Sequence, residues 1–309
     1  MSQVALVFPG QGSQSVGMLK ALADEFETVA ATLDEASEAL GRDLRVLIFE
    51  GPEAELNQTR WTQPALLAAD VAVWRCYREI GGELPSAMAG HSLGEYAALV
   101  AAEAMSLGDA IRVVARRGEL MQAAVAEGEG AMAAILGLDD DAVRALCEGV
   151  GLGGVAVPAN FNAPGQVVVA GLARSVEEVM EAARKQGAKR VLRLPVSVPA
   201  HSPLMAPAQD GLRAVLEQVE LRVPQSLVLH NVGLEPRRDP ESIRAALVEQ
   251  LVAPVPWTET VRALSLWRVT RFLECGPGRV LCGLGKRIDR SLEWLPLETP
   301  EALRAAVSG

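Results

Sequence analysis

Short apolar runs alternate with longer segments of helical hydrophobic periodicity in the first part of the chain. The apolar runs Val4–Phe8 and Ser86–Gly90 have the length of strands, whereas Met18–Leu40 and Gln63–Gly81 carry a helical repeat. Strands that alternate with helices in this way are typical of a parallel sheet covered by helices. The pattern therefore predicts an α/β fold.

From about residue 130 the pattern changes to a second kind of unit. Strands and helices follow one another in the order βαββαβ, which is that of a ferredoxin-like unit, over Ala131–Leu136, Asp139–Cys147, Val155–Phe161, Gln166–Ala170, Ser175–Gln186 and Arg190–Pro195. The first pattern resumes after His201, with strands at Leu227–Asn231 and Thr270–Glu274. We therefore expect a large domain from residues 1–126 and 198–309, with residues 127–197 inserted into it as a ferredoxin-like small domain.

The strand Ser86–Gly90 continues into Gly90-His91-Ser92-Leu93-Gly94 and then into an alanine-rich helical run. A Gly-x-Ser-x-Gly sequence between a strand and a helix is typical of a nucleophilic serine on a tight turn, where glycines allow backbones to approach closely. N–H groups at the start of the helix then face any oxyanion that forms beside the serine. We expect Ser92 to be a nucleophile and the large domain to be α/β-hydrolase-like. The alternative is a glycine-bounded loop that holds a serine by chance.

Composition narrows the class of protein. Half of the 309 residues are hydrophobic, enough for a large core, and the formal net charge of −10 argues against a general affinity for nucleic acid or anionic membranes. No run is apolar enough to cross a membrane, and Met1–Gly10 predicts a first strand rather than a signal peptide. We expect a cytoplasmic enzyme that binds neither nucleic acid nor membrane.

The cysteines and the glycine-rich loops give no sign of a metal or a phosphate site. None of the cysteines has Cys-x-x-Cys spacing, so we expect buried, reduced thiols at Cys76, Cys147, Cys275 and Cys282. The loop Phe8–Gln14 follows a strand but lacks the spacing of a phosphate-binding loop. It could present a backbone N–H to an oxyanion, although a simple turn fits equally well.

A serine hydroxyl needs a general base, and the chain has three histidines. His91 adjoins Ser92 on a sharp turn, so its side chain should point away from the hydroxyl and be structural. His230 lies at the end of a predicted strand, where a strand-end or core histidine is the default. His201 lies where the chain returns from the inserted segment, beside a cleft between the domains, and is the predicted base.

The third member of a triad is not evident from the residues. In α/β-hydrolase esterases an acid and then a histidine come near the carboxyl end, and His201 comes too early for that order. No acidic residue stands out as its partner. A Ser-His dyad whose imidazole is held by a neutral acceptor is therefore an equal alternative.

A helix predicted from Asp109 places one arginine on its apolar stripe. Arg117 shares that stripe, whereas Arg116 lies on the opposite, solvated face. A buried guanidinium needs an anionic or hydrogen-bonding partner. Arg117 therefore has either a structural or a functional role. In the structural case it forms a permanent internal ion pair or snorkels to the surface, and in the functional case it binds a substrate carboxylate in a bidentate manner.

These segments together resemble a known family, the malonyl-CoA:acyl carrier protein transacylases of fatty acid synthesis, which are similar to the acyltransferase domains of polyketide synthases. The resemblance extends over nearly the whole chain. Its motifs, in order, are Phe8–Gln14, Gln63–Ala65, Gly90–Val100, Arg117–Gln122, Asn160–Gln166, Val196–His201 and Glu274–Gly278.

The resemblance implies a role for each candidate residue. Ser92 would be acylated, His201 would be its base, Arg117 would bind the malonyl carboxylate, and the backbone N–H groups of Gln11 and Leu93 would form the oxyanion hole. The histidine would be oriented by a backbone carbonyl, that of Gln250 by match to Gln250–Trp257. Glu103 departs from the family, which commonly has glycine there, so only the end of the helix after the serine is in doubt.

The resemblance also implies the substrates, malonyl-CoA and the phosphopantetheine thiol of acyl carrier protein, with no metal and no permanently bound cofactor. We expect a monomer. The alternatives are a discrete acyltransferase that serves a polyketide synthase, a serine esterase or thioesterase, and an inactive carrier-protein scaffold.

Because the carrier protein of this pathway is acidic, it would need a local basic patch on this acidic chain. Two runs qualify: Arg184, Lys185, Lys189, Arg190 and Arg193 in the insert, which we favour, and Lys286, Arg287 and Arg290 near the carboxyl end.

Overall fold

A computed structural model describes residues 3–151, 153–196 and 198–308. The outer limits of the predicted large domain, Met1 and Gly309, and the last residue of the predicted insert, Ser197, lie outside these ranges. The strands are β1 Gln3–Phe8, β2 Ala87–Gly90, β3 Gly130–Leu136, β4 Ala156–Ala163, β5 Gln166–Leu172, β6 Arg190–Arg193, β7 Leu227–Leu229, β8 Val269–Glu274 and β9 Glu293–Pro296.

Helices cover both faces of one sheet and one face of the other. They are α1 Lys20–Ala23, α2 Glu27–Leu40, α3 Leu44–Phe49, α4 Glu53–Leu56, α5 Thr59–Glu79, α6 Gly94–Ala101, α7 Leu107–Ala123, α8 Asp140–Glu148, α9 Ala173–Lys185, α10 Ala206–Leu216, α11 Pro240–Glu249, α12 Trp257–Leu266, α13 Val280–Ile288 and α14 Pro300–Ser308, with a 3-10 turn at Pro203–Met205. Within the described ranges, no helix combines the length and the apolar character that a membrane crossing requires.

The larger sheet is parallel and has the strand order β7-β2-β1-β8-β9. Along the central strand β1, Leu6 and Phe8 join one hydrophobic core and Ala5 and Val7 the other, because successive side chains of a strand point to opposite faces. A strand buried on both faces has a continuous apolar sequence, which is what the run Val4–Phe8 shows. The prediction of an α/β fold with a parallel sheet is confirmed.

The smaller sheet is antiparallel, with the order β4-β5-β3-β6. Helices α8 and α9 pack on one of its faces through residues such as Val143 and Val179. The opposite face carries Met132, Ala134 and Val168, which belong to a separate small cluster. The small sheet is joined to the larger unit by backbone hydrogen bonds, because Val255 N–H donates to Ala159 O at 2.8 Å and Phe161 N–H donates to Val255 O at 2.9 Å.

Some predicted helix boundaries were wrong. The helix predicted from Asp109 begins two residues earlier, because the Ser106 side chain accepts the Asp109 N–H and caps it. The helix predicted from Gln63 begins four residues earlier, at Thr59, and contains Pro64, whose missing N–H removes one helical hydrogen bond.

Candidate active site

The serine lies on a sharp turn between β2 and α6. Ser92 has a φ of 53°, in the left-handed region that residues other than glycine rarely adopt. A Cβ on Gly90 would lie 1.9 Å from the carbonyl carbon of Gly94, and one on Gly94 would lie 2.1 Å from the oxygen of Phe8. Glycine is therefore required on both sides of Ser92, as the motif predicted.

His201 is the histidine that contacts this serine. Its Nε2 lies 2.7 Å from Ser92 Oγ, and its Nδ1 lies 2.9 Å from the backbone oxygen of Gln250 and 3.1 Å from that of Ala253. Carbonyl oxygens only accept, so Nδ1 carries the proton and Nε2 offers its lone pair to the hydroxyl. This geometry agrees with a Ser-His dyad whose imidazole is held by a neutral acceptor, one of the alternatives from the sequence. It also agrees with the Gln250 carbonyl that the resemblance implies.

Burial keeps the imidazole uncharged. His201 is 3% exposed. Its pKa is lowered from 6.5 to about 3, first by burial and then by the positive charge of Arg117, which together outweigh the hydrogen bond to Gln250 O that raises it. A neutral imidazole at physiological pH is the form that can accept the serine proton.

Arg117 is buried beside the serine, held by neutral oxygens. Its Nη1 donates to Gln63 Oε1 at 2.9 Å, and its Nη2 donates to Gln250 Oε1 at 3.0 Å and to Ser92 Oγ at 3.4 Å. Among residues 3–151, 153–196 and 198–308, no carboxylate pairs with this guanidinium, which excludes the permanent ion pair there. Arg116 is exposed, as predicted, and it pairs with Glu119 at 2.9 Å.

Residues of two loops line the cavity beside the serine. The Ser92 N–H donates to Asn231 Oδ1 at 3.0 Å, so this group is already engaged. Gln11 and Leu93 line the cavity at the serine. In the described part of the chain, neither of their N–H groups donates to another residue. A Cβ on Gly10 would lie 2.4 Å from the oxygen of His91, so only glycine lets the first loop approach the turn closely enough to bring Gln11 there.

The serine, the histidine and the arginine open onto one cavity of about 280 Å³. The small sheet supplies the opposite wall. Met132 and Val168, on the face of that sheet that α8 and α9 do not cover, line the cavity together with Asn160. The cavity is therefore polar and charged at the serine, and its opposite wall combines apolar side chains such as Met132 and Val168 with the polar Asn160. Such a mixture suits a substrate with a charged end and an uncharged chain.

The other two histidines do not contact the serine hydroxyl. His91 Nε2 lies 2.8 Å from Asn162 Oδ1, and its ring packs 5.5 Å from that of Trp257. Burial lowers the pKa of His91. His230 is fully buried, and its Nδ1 donates to Glu95 Oε1 at 2.7 Å.

Comparison with known proteins identifies the family. A model of the acyl transferase domain matches residues 5–281. The malonyl CoA-acyl carrier protein transacylase of Salmonella typhimurium is 50% identical over 308 residues, which cover 100% of both chains. The transacylase of Bacillus subtilis is 44% identical, with coverage of 99% of this chain and 97% of its own. The chain belongs to the malonyl-CoA:acyl carrier protein transacylase family.

Solved structures of transacylases superpose closely on this one. The enzyme of Coxiella burnetii gives a TM-score of 0.98 at 46% identity and covers 99% of this chain and 97% of its own. A malonyl-transacylase in complex with its type II polyketide synthase acyl-carrier protein gives 0.98 at 51% identity, covering 99% of each. The prediction of an acyltransferase is confirmed.

Sequence reasoning missed several polar residues of this transacylase. Gln63 was noted only within a motif, and Asn231, Glu95 and His230 were given no part in the site. The available signal was position: Glu95 follows the Ser92 turn, and His230 and Asn231 lie at the end of a strand. Contacts over more than 130 residues of separation, such as Glu95 with Gln250, depend on packing and not on local pattern.

Proposed function

We propose that this transacylase moves the malonyl group of malonyl-CoA to the phosphopantetheine thiol of an acyl carrier protein through a malonyl ester of Ser92. One observation carries the proposal most directly. Arg117 Nη2 lies 3.4 Å from Ser92 Oγ, so an acyl group attached to that oxygen begins beside a buried guanidinium. A malonyl group ends in a carboxylate, which a guanidinium binds in a bidentate manner.

The first half-reaction forms the ester. Ser92 Oγ attacks the thioester carbonyl carbon while His201 Nε2 takes the serine proton. The carbonyl oxygen becomes an oxyanion, which the N–H groups of Gln11 and Leu93 stabilise. The carbon–sulfur bond then breaks, and His201 returns the proton to the thiolate of CoA.

The second half-reaction consumes the ester. The carrier thiol gives its proton to His201 and attacks the ester carbonyl, and the Ser92 oxygen leaves with that proton. No group besides the substrates and the residues of the chain takes part. Water is the competing nucleophile, and the apolar wall formed by Met132 and Val168 would disfavour it.

Arg117 separates this function from a serine esterase or thioesterase. The same Ser92 and His201 would serve all three reactions, whereas a buried cation beside the nucleophile benefits a carboxylate-bearing acyl group. Intact mass after mixing with malonyl-CoA or acetyl-CoA tests the choice. We expect one malonyl group, little acetyl group, and neither on Ser92→Ala. Rapid acetylation with no malonylation would contradict the proposal.

The face of the small sheet beside the cavity carries Arg190 of the first basic run, and Arg287 of the second run lies close to it. Gln166 of β5 lines the cavity, pairs with Leu136 of β3, and Leu136 pairs in turn with Arg190 of β6. Neighbouring strands lie about 4.8 Å apart, so Arg190 lies about 10 Å from Gln166 on the same face of the sheet. On the other side, Arg287 of α13 donates a hydrogen bond to Gln166 Oε1.

We propose that the acidic carrier docks on this face. Arg184 and Arg193 of the first run each lie 3.9 Å from Glu177, which offsets part of their charge. Lys189 and Arg190 have no carboxylate partner within the described ranges, so their charge is available to a carrier.

Whether the carrier serves fatty acid or polyketide synthesis is a second question. A similar transacylase binds a type II polyketide synthase carrier, and kinetics with one carrier of each kind distinguish the two.

Several finer assignments also stand as proposals. The described chain contains no cluster of residues able to hold a metal ion. The element order β3-α8-β4-β5-α9-β6 supports a ferredoxin-like insert at residues 127–197, and the Ser92 turn supports a hydrolase-like domain formed by residues 1–126 and 198–309. A monomeric, cytoplasmic enzyme remains our prediction, and light scattering at working concentration tests the first of these.

A further inference from the structure

A buried carboxylate lies directly behind the Ser92 turn and outside the cavity. Glu95, in the first turn of α6, is 1% exposed. Its Oε1 accepts from His230 Nδ1 at 2.7 Å, and its Oε2 accepts from the Asn231 N–H at 3.0 Å and from Gln250 Nε2 at 2.8 Å. Three donors from two distant segments therefore converge on one carboxylate.

The Gln250 side chain connects this carboxylate to Arg117. Its NH₂ group donates to Glu95 Oε2 and, at 3.1 Å, to the backbone oxygen of Ser92, while its Oε1 accepts from Arg117 Nη2 at 3.0 Å. Two acceptors on one side and a donor on the other fix the amide in one orientation. The reversed amide would face the guanidinium with N–H groups and the carboxylate with an oxygen.

Burial of this charge is costly without such partners. Burial by itself would raise the pKa of Glu95, but the charge of His230 and the hydrogen bonds from His230, Asn231 and Gln250 outweigh it and hold that pKa below its usual range. Glu95 is therefore ionised at neutral pH. An ionised oxygen is the strongest available acceptor for the Gln250 amide.

We propose that Glu95 is a positioning residue for acyl selectivity: it holds the Gln250 amide, which in turn holds Arg117 in the orientation that binds the substrate carboxylate. The proposal rests on the function proposed above. His230 contributes by holding the other oxygen of Glu95. None of these contacts involves the substrate, so the effect on acyl selectivity reaches the reaction through Arg117.

A second connection from Glu95 must be separated from the first. Asn231 donates through its side chain to Gly90 O at 2.8 Å and accepts the Ser92 N–H, so Glu95 also supports the serine turn. Displacement of that turn would slow acylation by every acyl-CoA alike. The ratio of kcat/KM for malonyl-CoA to that for acetyl-CoA cancels this shared effect and reports on Arg117.

The test measures that ratio by self-acylation of Glu95→Met, which keeps the length of the side chain and removes both acceptors. We expect the ratio to fall about tenfold or more, mainly through a higher KM for malonyl-CoA. Glu95→Gln retains one acceptor for Gln250 and should keep most of the selectivity. In an Arg117→Ala background, Glu95→Met should change the ratio no further, because the residue it acts through is gone.

A matched control uses the buried carboxylate Glu274, which accepts the Leu281 and Cys282 N–H groups at 2.8 and 2.7 Å at the start of α13. Glu274→Gln should lower Tm and leave the acyl ratio unchanged. If Glu95→Met does not fold, Gln250→Met tests the same connection and should lower the ratio equally. Equal losses for both substrates, or an unchanged ratio, would overturn the positioning role. A wild-type protein without malonyl preference would instead overturn the proposed function.

Discussion

Arg117 and His201 both contact the same atom, Ser92 Oγ, at 3.4 and 2.7 Å, and both are anchored by one residue, Gln250. The backbone oxygen of Gln250 holds the imidazole and its side-chain oxygen holds the guanidinium. The base and the acyl-selecting cation therefore share a support. Loss of either contact is expected to have a distinct kinetic signature.

Removal of the base should slow acylation without abolishing substrate binding. His201→Ala is expected to reduce the acylation rate by about 10²–10⁴-fold, the usual contribution of a general base. His91→Ala should affect stability more than acylation, because that ring packs on Trp257 and pairs with Asn162. Stopped-flow acylation and thermal unfolding of both variants measure these effects. A larger loss of acylation rate in His91→Ala than in His201→Ala would assign the base to His91.

Removal of the cation should change selectivity. Arg117→Ala is expected to lose about 2–5 kcal/mol of malonyl recognition, as for a buried charge pair that loses one partner. Acetyl transfer should fall much less or rise. Arg117→Lys should restore only part of the malonyl rate, since an ammonium cannot bind a carboxylate through two parallel N–H groups. Equal losses for both acyl groups, with an unchanged circular dichroism spectrum, would show that Arg117 is structural.

The pH dependence follows from the lowered pKa of His201. With a folded-state pKa of about 3, the imidazole is neutral throughout the range where free histidine titrates, so acetyl-CoA acylation should show no acid limb near pH 6.5. A rate that falls with an apparent pKa near 6.5 would contradict this.

The same shift predicts a loss of stability in acid. Between about pH 6.5 and pH 3 the unfolded chain binds a proton at this histidine and the folded chain does not. The free energy of unfolding contributed by His201 therefore falls as pH is lowered through that window. Denaturant unfolding at pH 7 and pH 5 should show a larger loss for the wild type than for His201→Gln, which cannot titrate.

Charge reversal on the basic face should weaken carrier binding alone. Lys189→Glu with Arg190→Glu is expected to raise the KM for carrier protein, more at low salt than at high salt, and to leave self-acylation unchanged. Reversal of the exposed Arg112 and Arg116 on α7 is the control for net charge. Unaltered carrier kinetics at low salt would remove these residues and shift the docking site to Lys286–Arg290.

The elements that depend on local pattern could be predicted from the sequence. The Ser92 turn followed from its glycines, and the burial of Arg117 followed from its place on an apolar stripe. The free cysteines are buried, as predicted. Apart from the contacts of His201 with Ser92 and Gln250, contacts between distant segments could not be predicted, since the pattern fixes which face of an element is buried and not what covers it. The Glu95–His230 pair and the approach of Arg287 to Gln166 are of this kind.

One local departure from the family also needed the structure. Glu103, where glycine is common in the family, has a φ of 58° and ends α6 with the two hydrogen bonds of a Schellman motif, Glu103 N–H to Val100 O and Ala104 N–H to Leu99 O. The helix end keeps its geometry with a glutamate, whose carboxylate accepts from Gln225. The doubt about this helix end is therefore resolved.

The central claim is that Ser92 carries the malonyl group between the two substrates. Malonylated protein, freed of CoA and mixed with holo carrier protein in a quenched-flow experiment, tests it most directly by intact mass of both chains. The account predicts that the malonyl group leaves Ser92 and appears on the carrier thiol at least as fast as the steady-state turnover. An acyl-enzyme that persists while the carrier becomes malonylated only when malonyl-CoA is added would contradict it.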